Sequence, residues 1–172
     1  MLPILHFFVE LCLLRRRPQD LPGSRALLGL VVLAALLGGM LLAITAGASV
    51  MAGLAQTALD ILLLLGALHL GLKLLNRQPR FLQTATSLLG ADTLIGVVAL
   101  LPVGLAAPGT DAGGQLMLAG LLFLGLVVWS VLVAAHILRH ALEIRLAQGA
   151  AIAVAFDILS FMLIGGLTQG TA

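Results

Sequence analysis

Five apolar stretches, each about as long as a bilayer crossing and each closed by a short polar break, set the terms for this chain; they run at roughly 26–47, 53–75, 85–106, 115–138 and 149–168. The hydrocarbon core is about 30 Å thick and an α-helix rises about 1.5 Å per residue, so about 20 apolar residues make one crossing. Within lipid, every backbone N–H and C=O must be satisfied inside the segment, which dictates helix. The expected fold is therefore all-α, an integral membrane bundle of about five transmembrane helices. Charged residues make up 9% of the 172, against about 25% in soluble domains. No remaining segment is long enough to fold as a separate soluble domain.

The breaks carry turn chemistry. Gly47-Ala48-Ser49 reads as a short turn, Asn76-Arg77-Gln78-Pro79-Arg80 as a polar loop, and Pro108 to Gly114 as a turn cluster. The charged segment Arg139–Gln148 can continue as helix. Ahead of the first span, residues 1–14 are apolar but too short to cross, and Arg15, Arg16 and Arg17 follow them. A secretory signal places its positive charge before the apolar run, so the reversed order predicts an uncleaved helix lying in the interface, with His6 and Glu10 toward water. Pro18 and Pro22 end it, and Ser24 reads as the N-cap of the first span. The expected division is an interfacial helix and basic linker over 1–25, the membrane domain over 26–168 and a short outer tail over 169–172. The single Cys12 has no partner for a disulfide.

All nine Lys and Arg residues fall at one side of this arrangement: Arg15, Arg16, Arg17 and Arg25 before span one, Lys73, Arg77 and Arg80 between spans two and three, Arg139 and Arg145 between spans four and five. The opposite loops hold only Asp111. Retained loops on the cytoplasmic side are enriched in Lys and Arg, which predicts an inner-membrane protein with its N-terminus inside and its C-terminus outside. The Arg15–Arg17 run beside an apolar helix predicts contact with anionic lipid headgroups. The basic residues are too few and too close to the membrane for nucleic-acid binding.

Three carboxylates fall inside spans: Asp60, Asp92 and Asp157. An ionised group at mid-bilayer costs about 2.5–3.5 kcal/mol on insertion scales, so such acids face protein or a water-filled cavity. Counted from the basic loops, His69, Asp92 and Asp157 share the inner half and Asp60 lies nearer the outer surface. The four are a candidate intramembrane polar cluster for a proton, a cation or a partner's polar group; hydrogen bonds that merely fix helix packing are the competing explanation. Asp92 stands twelve residues beyond Arg80, and Asp157 twelve beyond Arg145. Either a parallel duplication of two hairpins or chance alignment of apolar sequence accounts for this.

His136, His140 and Glu143 share a helical face, the weak candidate for a metal; an interfacial anchoring face with an Arg139–Glu143 pair is the preferred explanation. No metal and no cofactor is expected, with a haem between His69 and His136 as the alternative. Ala35, Gly39, Ala43 and Gly47 form a small-residue strip on span one that permits close helix packing. Trp129 sits mid-span, which points it at protein rather than at an interfacial belt. No nucleotide loop, serine-nucleophile motif or metalloprotease signature is present, so no enzymatic activity is expected.

The N-terminal segment, the stretch Arg17-Pro18-Gln19-Asp20-Leu21-Pro22 and five closely spaced spans together resemble the bacterial members of the Yip family of five-span membrane proteins. They also resemble small proteobacterial inner-membrane proteins that carry this RPQDLP stretch. The resemblance implies the topology and transfers no site residue. Two functions follow as expectations: a non-enzymatic accessory or scaffolding subunit, partnered by lipids and by other membrane subunits or itself, and, alternatively, a small proton- or cation-coupled transporter using the intramembrane His and Asp residues.

Overall fold

The structure, a computed structural model, describes residues 2–106 and 113–169. Among these there are helices and turns and no strand: α1 (Leu2–Cys12), α2 (Arg25–Thr45), α3 (Val50–Leu74), α4 (Phe81–Leu105), α5 (Gly113–Leu142) and α6 (Leu146–Gln169). The last five are long and apolar enough to cross a membrane. They coincide with the five expected spans to within a few residues. Most of the turn cluster at Pro108–Gly114, Asp111 and the tail beyond residue 169 lie outside the described residues.

Local chemistry sets the helix ends. Ser24 accepts a hydrogen bond from the Leu27 N–H and Ser49 one from the Ala52 N–H, each satisfying a donor that the first turn leaves free. Four helices close on a residue in the left-handed region: Leu14 after α1, Gly47 after α2, Asn76 after α3 and Glu143 after α5. In each, the following N–H reaches back to a carbonyl of the last turn, as from Arg15 to Glu10 and from Ile144 to Arg139. The segment Arg139–Gln148 is therefore not one helix, because Glu143 reverses the chain between α5 and α6.

The five long helices form a ring in the order α3, α2, α4, α5, α6, closed where α3 meets α6. α4 is the most enclosed: every residue from Thr84 to Ala91 is buried. Two of its threonine hydroxyls are satisfied within the helix, Thr84 donating to the Arg80 carbonyl and Thr86 to that of Leu82. The buried Ser87 hydroxyl, in contrast, has no hydrogen-bond partner among the described residues. The outside of the ring is apolar. On α2, for example, Leu30, Leu33, Leu37, Leu41 and Ile44 make one exposed stripe, the surface that lipid covers.

The strip on α2 is used inside the chain. A Cβ at Gly39 would lie 2.5 Å from Thr57 Cγ2 on α3, and one at Gly53 would lie 2.9 Å from the Ala43 Cβ. Ala35 faces the interior, and Gly47 takes φ 90° at the helix end. Gly39→Leu thus forces α2 from α3; overpacking of this kind costs about 1–3 kcal/mol. Its thermal midpoint in detergent should drop measurably, whereas Gly29→Leu, where a Cβ meets nothing within 4 Å, should melt like the parent.

α1 does not lie apart from the bundle. Phe8, Leu11 and Cys12 are buried, and the Phe8 ring occupies the space beside Gly90 of α4, where a Cβ would come within 2.1 Å of it. Trp129 of α5 donates its indole N–H to the Cys12 carbonyl at 2.9 Å, and His136 Nε2 stands 3.0 Å from the Arg16 carbonyl. Mid-span Trp129 therefore faces protein. His6 is exposed, while Glu10 is half-buried and ion-paired with Arg16 at 2.7 Å.

Candidate functional site

The ring holds two partly open cavities, one of about 820 Å³ lined by all five long helices and one of about 370 Å³ between α3, α4, α5 and α6. The larger extends toward the end of the bundle without basic residues, reaching Ala46, Ala48 and Val103. The smaller extends toward the basic end, reaching Leu74, Leu75 and Leu142. Five residues line both: Asp60, Asp92, Ile95, Ser130 and Asp157. The three intramembrane carboxylates thus stand at the junction of two cavities that lead to opposite ends.

Each acid arrives from the middle of a different helix, Asp60 from α3, Asp92 from α4 and Asp157 from α6. Ser160, one turn beyond Asp157, donates its hydroxyl to Asp60 across the α3–α6 contact. Gln56, Thr57, Thr93 and Ser130 add polar groups to the wall of the larger cavity. Thr93 and Ser130 turn their protons to carbonyls of their own helices, at 2.7 and 2.8 Å, so their oxygens keep lone pairs for a ligand. Among the described residues, no Lys, Arg or His lines either cavity.

Of the four residues of the expected cluster, the fold unites the three aspartates and leaves out His69. His69 is exposed on α3 and packs edge-on against Phe81, ring centroids 5.5 Å apart. Asp60, counted nearer the outer end, nonetheless lines the same two cavities as Asp92 and Asp157. Ser160 and Ser130 were not singled out from the sequence. The signal for Ser160 was its i, i+3 spacing from Asp157, and for Gln56 its i, i+4 spacing to Asp60, which put polar groups on one helical face.

The other histidine-bearing face is used differently. His136 and His140 stack edge-on at 4.7 Å, but Glu143 leaves them for the α3–α4 turn, where Arg77 and Arg80 hold it. Arg80 also donates to the last carbonyls of α5, those of His140 and Ala141. The hydrogen bonds from Arg77 and Arg80 to Glu143 hold its carboxyl down at about 2. The depressed value means that the contact is fully present above the ordinary carboxylate range and is lost only as pH falls toward 2. The pair is open to solvent, which screens it, so the contact is permanent in charge but weak in energy. Among the described residues, no group of three or more His, Cys, Asp or Glu side chains is placed to hold a metal ion.

Comparison with protein-family models, with curated proteins and with solved structures finds no match for this chain.

Proposed function

We propose that the chain is a small membrane carrier for organic monovalent cations, exchanged for protons at Asp60, Asp92 and Asp157. The observation that carries this reading is the position of the three carboxylates, which line both cavities with no basic side chain among the described lining residues. Carboxylates in a membrane interior need positive charge from elsewhere, either a proton or a bound cation. A site exposed in turn to two opposite cavities is what alternating access requires.

The cavity argues for the ligand's size. At about 820 Å³ it lies within the range of about 300–1,000 Å³ that holds small organic ligands. Its remaining wall is apolar and includes Phe123, a ring able to face a cation. The acids do not converge as ligands of one metal ion, which favours a bulkier charge. The small-residue strip that favoured an accessory role is taken up by α3, so the cavity is what a function has to explain. The basic end is assigned to the cytoplasmic side of the inner membrane, with Arg15 and Arg17, both exposed, against anionic headgroups.

Titrating a quaternary ammonium ion into the purified protein in weakly buffered detergent tests this site. Saturable binding accompanied by acidification is expected, because cation and protons compete for the same carboxylates. Binding without any proton release would sink the exchange.

A further inference from the structure

The turn between α5 and α6 places Glu143 in the left-handed region at φ 56°, and its side chain crosses to the turn between α3 and α4. There Arg77 and Arg80 contact both carboxylate oxygens. The partners stand at the mouth of the smaller cavity: Leu74 and Leu75 of its lining come just before Arg77, and Leu142 just before Glu143. The opposite ends of the helices carry no charged side chain among the described residues.

We propose that Glu143, Arg77 and Arg80 form an ionic latch that shuts the smaller cavity at the basic end and parts when the carrier opens to that side. The latch joins the α3–α4 hairpin to the α5–α6 hairpin, and α3 otherwise packs mainly on α2. Parting it frees the basic end of α3, which packs only lightly on α4 and α6, while α4 stays packed on α5, a hinge-like opening. The proposal rests on the carrier reading for its purpose. Its geometry is testable without any transport.

Gly71 lines the smaller cavity, and a Cβ there meets nothing within 4 Å, so Gly71→Cys reports access with little disturbance. With Cys12→Ala removing the other thiol, a membrane-impermeant maleimide is applied to vesicles whose basic end faces the reagent. Labelling is expected to be slow with Glu143 intact and several-fold faster in Glu143→Gln. Raising salt to about 1 M, where screening acts within about 3 Å, should speed labelling of the Glu143 protein and leave the Gln variant unchanged. Equal rates with and without Glu143, or no response to salt, overturn the latch. Either result leaves the carrier reading to be judged by the aspartate variants alone, since labelling needs no flux.

Discussion

Asp92→Asn with Asp157→Asn yields a protein that inserts and folds but no longer accumulates cations. Asn keeps the size and much of the hydrogen bonding of Asp, and no basic side chain loses its counter-ion, because none lines the cavities among the described residues. Removing the charges also removes an insertion cost of about 2.5–3.5 kcal/mol for each ionised acid. Expression and thermal midpoint should therefore hold or rise. Binding falls steeply, since one carboxylate about 4 Å from a cation contributes about 4 kcal/mol at an effective dielectric near 20. Loss of two such contacts takes the affinity down by orders of magnitude. Asp60→Asn should weaken binding too, and it additionally alters the hydrogen bond from Ser160. If the double variant fails to accumulate in the membrane, the acids are structural and the carrier is refuted at its centre.

Gly90→Leu releases α1 from the bundle. The Phe8 ring fills the space beside Gly90, with its Cε1 2.1 Å from where a Cβ would stand. Neither α4, buried from Thr84 to Ala91, nor the ring can yield that distance, and the contact at lowest cost to lose is the short helix. Amide exchange over Phe8–Cys12 should become fast while α2 to α6 stay protected. Phe8→Ala in the same chain should partly restore protection, because the smaller side chain clears the new Leu; alone it costs about 3–5 kcal/mol, as buried Phe→Ala changes do. Trp129→Phe is a milder route to the same state, removing one hydrogen bond to the Cys12 carbonyl, about 1 kcal/mol. Protection of α1 that is indifferent to Gly90→Leu would mean that the Phe8–Gly90 contact does not hold the helix.

What could be read from the sequence follows from which physics is local. Span length, apolar content and the Ser24 cap depend on neighbours in sequence, and the five helices appear where hydropathy sets them. The three acids stood out because lipid makes a charge conspicuous. Facing did not: His69 and Asp92 were both counted to the inner half, yet helix facing turns one toward Phe81 and the other into the cavity. Facing is a tertiary property, and span hydropathy, uniformly high around each helix, carries little of it. Trp129 was legible as protein-facing, while its partner, the carbonyl of Cys12, was not. The reversal at Glu143 was missed because no glycine marks it. A left-handed non-glycine residue is held there by the end-of-helix hydrogen bond from Ile144 to Arg139, and its side chain is held by two arginines from another hairpin.

The most direct test of the carrier is uptake of a radiolabelled quaternary ammonium ion into proteoliposomes with an acidic lumen. The parent protein should concentrate the ion inside while discharging the proton gradient, and the Asp92→Asn, Asp157→Asn protein, reconstituted to the same density, should do neither. Uptake by the parent no faster than by protein-free liposomes, from a preparation shown to be folded, would contradict the account.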